Sequence, residues 1–413
     1  MRILHIISQI PDLTGSGKYL QAIMRCAAQR GHENFLVAGV QGDFGLDASV
    51  IGDRSCRYIR FDGKDLDFPV PGMSDVMPYR SSVFSELSRQ QLALYAKAFA
   101  NVVRDAVLLF KPDILHSHHL WIASSVARDC VPDLPLVTTC HSTCLRQYSL
   151  CGGLGETLSL NLRKLDKIMA LSNFQKKEIS DIHGIDPGQI EVIGGGYDDS
   201  LFYPAEKAAS GPIELLYAGK LSRSKGVPWL LQSLQHLVDY PWVLHLAGEG
   251  SGSEKEQCLD LAARFGDRVV LHGSLDHARL AALMRKAHIF VLPSFSEGLP
   301  LVLMEALTSG CRLITTSLPG IREILGDHVG RMIHMLDIPE LETVDVPFDK
   351  DLPRLEDMLV AALRTGIGEV EKHRQPDMEV AGRVTAGYTW PQVFAKIEGV
   401  YEKALLQRES APR

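Results

Sequence analysis

The sequence has no long hydrophobic run, no excess of basic residues and no regular cysteine spacing. No apolar run approaches the roughly 20 residues that a membrane-spanning helix needs. Acidic residues outnumber basic residues by 50 to 43, which gives a net charge of −7, so nucleic acid is not an expected partner. The apolar part of the N-terminal segment is too short for a signal peptide. We therefore expect a cytoplasmic protein.

The eight cysteines do not follow the spacing of a disulfide framework, so we expect reduced thiols. Three of them, Cys140, Cys144 and Cys151, lie near His141 in the sequence. Their spacing matches no zinc or iron–sulfur pattern. No metal site is predicted.

The length of 413 residues and the apolar content of 46% predict two or three domains with cores of their own. Short apolar strands alternate with helices, a pattern typical of α/β domains with parallel sheets. We predict domains over residues 1–204 and 205–387, followed by a separate C-terminal helix over 388–413. Residues 41–82 show no helical periodicity and are predicted to be irregular. A long helix is predicted over 83–110. In the second domain, strands are predicted near residues 213–219, 243–248, 268–273, 289–293, 312–316 and 329–333.

The stretch from Ser294 to Gly310 holds the strongest functional signal. It follows a buried-type apolar run, and its Gly298 and Pro300 stand where a helix should begin. Free backbone amides at a helix start favour anions. We therefore predict a phosphate site that comprises Gly298, Leu299 and the amides of Leu301, Val302 and Leu303.

Two carboxylates flank this turn. Glu297 precedes the predicted helix, and Glu305 lies inside it among apolar residues, where a carboxylate needs a partner. Two acids beside a phosphate site suit a ligand with hydroxyls on both sides of a diphosphate, which describes a nucleotide-sugar. The alternative is a pair of acids that only caps or salt-bridges a helix end.

The pattern Glu-Gly-x-Pro-x-x-x-x-Glu resembles the signature of the retaining glycosyltransferases of family 4. The resemblance implies the GT-B architecture, an α/β fold of two Rossmann-like, doubly wound parallel-sheet domains with an interdomain cleft. It also implies that Glu297 contacts sugar hydroxyls near the reacting carbon and that Glu305 binds the ribose.

A glycine-rich turn follows the first predicted strand. It is not a Walker A loop, and it does not complete the dinucleotide pattern Gly-x-Gly-x-x-Gly. The resemblance to family 4 implies that Gly15, Ser16 and Gly17 touch the donor phosphates; a purely structural turn is the alternative.

Histidines cluster after two later strands of the first domain. His141 follows the strand Leu136–Cys140, and the resemblance implies that it contacts the donor sugar or the attacking site; a histidine satisfied in the core is the alternative. For His116, His118 and His119 we expect structural or acceptor-binding roles rather than zinc ligation.

The first turn of the second domain carries the remaining charged candidates. The resemblance implies that Lys220 and Lys225 neutralise the departing diphosphate. Family members have Arg at the position of Lys220. Lysine cannot form the bidentate hydrogen bonds of a guanidinium group, and Arg223 would compensate for this loss. The resemblance also implies that Gly248 and Gly250 line the nucleotide and that His272 borders the base.

Together these features predict a retaining, metal-independent glycosyltransferase that moves a sugar from a nucleoside-diphosphate donor, by default a UDP-sugar, to a hydroxyl of a glycan, lipid or small molecule. No cofactor is expected. A lipid acceptor would bring the protein into peripheral contact with a membrane. The alternatives are a nucleotide-sugar 2-epimerase or a phosphorylase on the same fold, and a non-catalytic partner that binds nucleotide-sugars.

Overall fold

The computed structural model of the protein describes residues 1–74, 77–330, 332–343 and 345–410, apart from the side chain of residue 159. The chain divides into two compact units. Unit 1 comprises Met1–Gly196 with Trp390–Arg413, and unit 2 comprises Tyr197–Thr389. The segment 197–204, assigned to the first domain from the sequence, thus belongs to unit 2. The reason is local: the Tyr197 amide donates to the Tyr388 carbonyl over 2.9 Å, and Phe202 is buried in the core of unit 2.

Unit 1 is built on a parallel sheet whose described strands run in the order β3-β2-β1-β6-β7-β8-β9. Most of the strand residues are buried, because helices cover both faces of a parallel sheet. Its elements are β1 (Arg2–Ile7), α1 (Gly15–Gln29), β2 (Glu33–Gln41), β3 (Cys56–Phe61), β4 (Pro71–Gly72), β5 (Ser82–Val83), α2 (Arg89–Phe110), β6 (Ile114–His118), α3 (Ile122–Cys130), β7 (Leu136–Thr139), α4 (Ser142–Leu150), α5 (Gly153–Leu162), β8 (Lys167–Ala170), α6 (Asn173–His183) and β9 (Ile190–Val192).

Two sequence predictions for unit 1 were wrong in part. The stretch 41–82, predicted to be irregular, contains β3, which pairs in parallel with β2. The helix predicted from residue 83 begins only at Arg89, where Ser88 and Gln91 form a capping box. Because the capping box fixes the helix start, the residues before it form a 3-10 turn, Phe84–Glu86.

Unit 2 contains a second parallel sheet, with described strands in the order β12-β11-β10-β13-β14-β15. The predicted strands coincide with the observed ones within two residues, except the last, which begins at Ile333. Its elements are β10 (Ile213–Ala218), α7 (Val227–Leu234), β11 (Trp242–Ala247), α8 (Gly252–Ala263), β12 (Val269–Gly273), α9 (His277–Lys286), β13 (Ile289–Leu292), α10 (Leu301–Thr308), β14 (Arg312–Thr316), α11 (Pro319–Leu325), β15 (Ile333–Leu336), α12 (Leu352–Lys372) and α13 (Met378–Thr385). Short 3-10 helices lie at Asp53–Ser55, Pro187–Gln189, Gln235–Leu237, Gly266–Arg268, Gly326–His328 and Asp349–Asp351.

The last helix, α14 (Trp390–Ser410), returns to unit 1. Its apolar side chains join a cluster that includes Ile3 of β1 and Ile114 of β6. The Tyr401 hydroxyl also lies 2.7 Å from Nδ1 of His116. This helix therefore completes the core of unit 1.

The strand order creates one switch point in each sheet. In unit 1, β2 and β3 lie on one side of β1, and the chain resumes with β6 on the other side. In unit 2, β11 and β12 lie on one side of β10, and β13 lies on the other. Ligands of open α/β sheets bind at the carboxyl ends of the strands at such points. The loops after β1 and β6, and after β10 and β13, are therefore the places to look for a site.

Unit 1 also buries a group of histidines beneath its switch point. Burial lowers the pKa of His5 and His141 to about 4, and it lowers the pKa of His116, His118 and His119 well below the ordinary value. At neutral pH these rings are uncharged. In the unfolded chain each would take up a proton near pH 6.5.

We predict that acid destabilises unit 1. A histidine with a folded-state pKa below its unfolded value binds more protons in the unfolded chain, so its contribution to stability is present above about pH 6.5 and is lost as the pH falls. Each buried histidine can contribute a slope of up to about 1.4 kcal/mol per pH unit. Urea unfolding at a series of pH values, with hydrogen exchange of the β6 amides, measures this slope.

The matched variants are His118→Leu, which removes one buried ring, and His236→Gln, which alters an exposed ring of unit 2. The first should reduce the slope and the second should leave it unchanged. Equal slopes in the wild type and His118→Leu would contradict the prediction.

Candidate active site

The loops at the switch point of unit 2 are joined by an ion pair. Lys225 lies in the turn after β10, and Glu297 lies in the turn after β13. Nζ of Lys225 donates to Oε1 of Glu297 over 2.7 Å and to the Ser296 carbonyl over 2.9 Å. Both side chains are partly buried, which weakens solvent screening of the pair. The two predicted catalytic residues, 72 positions apart, are therefore in direct contact.

The backbones of these two turns also touch. The Phe295 amide donates to the Ser224 carbonyl over 2.9 Å. A Cβ atom on Gly226 would lie 2.0 Å from the Pro293 carbonyl oxygen, and this residue has a φ of +70°. Only glycine fits such a close approach. The Lys225–Glu297 pair thus rests on a fixed backbone frame.

Helix α10 begins directly after this frame. Pro300 is its N-cap and supplies no side-chain hydrogen bond. The amide of Leu303 donates to the Pro300 carbonyl over 3.0 Å. Of the three amides predicted to bind phosphate, that of Leu303 is therefore already engaged. Leu301 and Val302 remain at the helix start, where the N–H groups and the helix dipole favour an anion.

Glu305 lies one turn further along α10 and is buried. Burial raises the pKa of Glu305 to about 7, and the charge of Asp198 acts in the same direction. A carboxylate with this pKa is poised between its charged and neutral forms at neutral pH. Such a pKa is typical of binding and catalytic sites.

The other basic residues of the turn after β10 are more exposed. Lys220 is exposed at its start, and its carbonyl accepts from the Tyr217 hydroxyl over 2.6 Å. Nε of Arg223 donates to Gln257 over 2.8 Å, and its amide donates to Glu254 over 3.2 Å. Arg223 therefore packs toward α8, whereas Lys225 lies at the switch point.

Gly248 and Gly250 are required by backbone packing. A Cβ on Gly248, which has a φ of +143°, would lie 1.8 Å from the Gly219 carbonyl oxygen, and one on Gly250 would lie 2.5 Å from the Leu221 carbonyl oxygen. The turn after β11 therefore lies against the turn after β10.

His272 lies within β12 and belongs to a polar chain across the sheet. Its Nε2 is 2.8 Å from Nδ1 of His245, and Nε2 of His245 is 2.7 Å from Oε2 of Glu214. Burial, and then the charge of His245, lower the pKa of His272.

In unit 1 the glycine-rich turn forms the start of α1. The Gly17 amide donates to the Thr14 hydroxyl over 3.1 Å, and Ser16 Oγ accepts from Gln9 over 3.0 Å. Gly17 packs closely on the backbone of Asp12, whereas space around Gly15 is open. Of the three predicted phosphate contacts, the Gly17 amide is thus engaged in the helix cap.

His141 is the N-cap residue of α4, and it lies beside His119, which follows β6. Their ring centroids are 5.2 Å apart, and both rings are buried. Nδ1 of His119 is 3.4 Å from Oγ of Ser8, so β6 and β1 are bridged at the switch point. Sequence reasoning did not single out Ser8 or Gln9; their position directly after β1 was the available signal.

Three of the buried histidines have ligand atoms close enough together for a metal site. Ligand atoms of His5, His116 and His118 lie within 4.8 Å of one another. Both nitrogens of His116 are engaged, by Tyr401 and by Thr139, and its ring stacks on His118 at 4.2 Å. Nitrogens without a partner among the described residues remain on His5 and His118 only, and two protein ligands are fewer than a zinc site uses, so we assign no metal to this group.

Comparison with known families follows the division into units. A model of Glycosyltransferase Family 4 matches residues 13–201, and a model of Glycosyl transferases group 1 matches residues 201–338. The chain belongs to the family 4 glycosyltransferases. It is an enzyme, a glycosyltransferase.

A curated relative agrees with this assignment, and solved structures share the fold. The glycosyltransferase is 27% identical to glycogen synthase of Mycobacterium tuberculosis over 318 residues, or 74% of this chain and 72% of the relative. Its fold is similar to sucrose-phosphate synthase from Thermosynechococcus elongatus, with a TM-score of 0.72, 18% identity and coverage of 98% and 100% of the two chains.

Two further structures contain a bound nucleotide. The Anabaena HepE protein in complex with UDP and glucose matches with a TM-score of 0.65, 16% identity and coverage of 97% and 98%. The catalytic domain of Arabidopsis thaliana starch synthase IV, bound to ADP and acarbose, matches with a TM-score of 0.63, 15% identity and coverage of 98% and 99%. The glycosyltransferase has the GT-B fold. Within its described residues, no helix combines the length and apolarity needed to cross a membrane.

The glycine packing yields a prediction on stability. Gly248→Ala should lower the free energy of unfolding by about 1–3 kcal/mol, because the added Cβ overlaps a backbone carbonyl rather than a flexible side chain and the φ of +143° disfavours any side chain. Gly368→Ala in α12 is the matched control in the same unit, since nothing lies within 4 Å of its Cβ position. It should raise stability by up to about 1 kcal/mol. Thermal or urea unfolding measures both, and equal effects would contradict the explanation.

Proposed function

We propose that the glycosyltransferase moves a sugar from a nucleoside-diphosphate donor to an acceptor hydroxyl with retention of configuration and without a metal ion. The Lys225–Glu297 ion pair at the switch point of unit 2 is the main support. It combines a cation for phosphate with a carboxylate for sugar hydroxyls, next to a helix N-terminus.

The donor diphosphate is proposed to bind at the start of α10. The amides of Leu301 and Val302 would donate to its oxygens, and Lys225 and the more exposed Lys220 would neutralise its charge. These groups can stabilise a departing diphosphate where other enzymes use a divalent ion.

The donor sugar and ribose would then lie on either side of the diphosphate. Glu297 is proposed to accept hydrogen bonds from sugar hydroxyls, with Lys225 holding its carboxylate in place. Glu305 is proposed to accept from the ribose hydroxyls. Gly248, Gly250 and His272 are proposed to line the nucleoside.

Retention is proposed to follow from front-face attack. The donor-site carboxylates are assigned to binding, one of them in an ion pair, and neither is assigned as the nucleophile of a double displacement. The leaving diphosphate oxygen would take the proton of the attacking hydroxyl. His141 would hold a hydroxyl at the reacting centre, where its neutral ring can donate one hydrogen bond.

The donor base is proposed to be uracil, although the solved neighbours include complexes with UDP and with ADP. The acceptor is proposed to be a hydroxyl compound of the glycan, lipid or small-molecule class, and a lipid acceptor would require peripheral contact with a membrane. A cytoplasmic location fits the eight cysteines, all among the described residues, which form no disulfide with one another.

The first experiment identifies the donor and tests transfer. UDP-, ADP- and GDP-sugars are screened by thermal shift, since a ligand that binds the native state raises its melting point. Transfer to a panel of sugars and polyols is then measured with the best donor. We expect Glu297→Gln to lose about 100-fold or more in kcat while it still binds the nucleoside diphosphate.

Glu379→Gln is the control, because Glu379 also pairs with a basic residue of unit 2 but lies exposed on α13. It should retain wild-type activity. Donor consumption without acceptor and with epimerised product would support the 2-epimerase instead, and donor binding without any turnover would support a non-catalytic role. Full activity of Glu297→Gln would refute the site.

A second prediction concerns pH. Because the pKa of Glu305 is about 7, its carboxylate form predominates above neutrality, and this form accepts ribose hydroxyls best. Affinity for the nucleoside diphosphate should therefore fall as the pH is lowered from about 8 to about 6, approaching tenfold per pH unit below the pKa. Calorimetric titration measures this dependence.

Glu305→Gln should bind more weakly and lose this pH dependence, whereas Glu379→Gln should keep the wild-type profile. A variant Glu305→Gln with an unchanged pH profile would show that another group titrates.

A further inference from the structure

His119 has a backbone conformation that needs an explanation. Its φ is +84°, a positive value that is uncommon for any residue other than glycine, although histidine adopts it more often than most side chains do. Two hydrogen bonds hold it there: the His119 amide donates to the Thr139 carbonyl over 3.0 Å, and the Trp121 amide donates to the His119 carbonyl over 2.8 Å. Strained conformations of this kind concentrate at functional sites.

The conformation places the His119 ring at the switch point of unit 1. The ring reaches Ser8 after β1 on one side, at 3.4 Å, and the ring of His141 after β7 on the other. Three adjacent strands thus contribute one polar side chain each at their carboxyl ends. This is the edge of the sheet where ligands of α/β folds bind.

The two rings present nitrogens that the rest of the chain leaves unpaired. Nε2 of His119 and Nε2 of His141 are buried and have no hydrogen-bond partner among the described residues. Buried polar atoms are normally paired, because leaving them unpaired is unfavourable. Two such atoms on neighbouring rings indicate a ligand with polar atoms of its own.

The charge state of the two rings indicates which class of ligand they would bind. Burial is the first cause of the lowered pKa of both residues, and His141 adds to the effect on His119. Neutral imidazole carries one donor and one acceptor nitrogen. A hydroxyl group both donates and accepts, so it matches neutral imidazoles, whereas phosphate or carboxylate would favour cationic partners.

We propose that His119 binds an uncharged hydroxyl of the acceptor beside His141 and thereby determines which acceptors the enzyme uses. The proposal rests on the proposed transferase function and adds an acceptor-binding residue to it. Ser8 holds the His119 ring through Nδ1, which leaves Nε2 for the substrate. The predicted acceptor class is neutral sugars and polyols, rather than molecules whose reacting end is phosphorylated.

The test compares His119→Gly with His119→Gln in the full-length enzyme. Glycine accepts the left-handed φ without strain and removes the ring, while glutamine keeps a hydrogen-bonding group. His183→Gln is the control, because His183 is also a buried histidine of unit 1 but lies at the end of α6, against Tyr148. The probes are maltose, sucrose and myo-inositol, each beside a phosphorylated counterpart, with the donor that gives the largest thermal shift.

We expect the wild type to prefer the neutral probes. His119→Gly should raise the acceptor KM by about tenfold or more, with a smaller change in kcat and an unchanged thermal shift by donor. His119→Gln should recover part of this loss, and His183→Gln should have the wild-type acceptor KM. A purely structural role would instead change donor binding and acceptor KM together.

An unchanged acceptor KM in His119→Gly overturns the proposal, as does transfer to phosphorylated probes only. Failure of the proposed function looks different: the wild type would then show no thermal shift with any nucleotide-sugar, or would bind a donor and transfer its sugar to no probe at all.

Discussion

The contact between Lys225 and Glu297 depends on a constraint of parallel sheets. Strands β10 and β13 are neighbours in space but far apart in the chain, because the chain first builds β11 and β12 on the other side. Their carboxyl ends then open onto the same space. A cation from one loop and a carboxylate from the other meet there, and the close packing of Gly226 on Pro293 keeps the loops in register.

Unit 1 uses the same topology with different chemistry. Its switch point lies between β1 and β6, and a serine and neutral histidines meet there. Asp12 in the loop after β1 also forms an ion pair, with Lys18 of α1. The buried histidines are what distinguish this switch point from that of unit 2.

The sequence predicted much of the fold because most strands of both sheets are continuous apolar runs. Strand β3 was missed because its sequence, Cys-Arg-Tyr-Ile-Arg-Phe, interrupts the apolar residues with arginines, as an edge strand can. Glu297 and Glu305 could be singled out because a family signature contains them, and Lys225 because the first turn of the second domain resembles that of the family. Their contacts could not, since the Lys225–Glu297 pair and the burial of Glu305 depend on packing between distant segments. The role of His119 could not be decided from the sequence for the same reason. Neither its backbone conformation nor its contact with Ser8 can be predicted from a local sequence pattern.

The return of α14 to unit 1 has a consequence for biosynthesis. Ile3 and Phe394 belong to one cluster, so the core of unit 1 needs residues of both strand β1 and helix α14. Strand β1 emerges from the ribosome long before helix α14, which completes that core. Unit 2, by contrast, is one uninterrupted segment whose partners are all synthesised before α14 appears. Vectorial synthesis therefore favours maturation of the middle of the chain first, with the two ends of the polypeptide joining last.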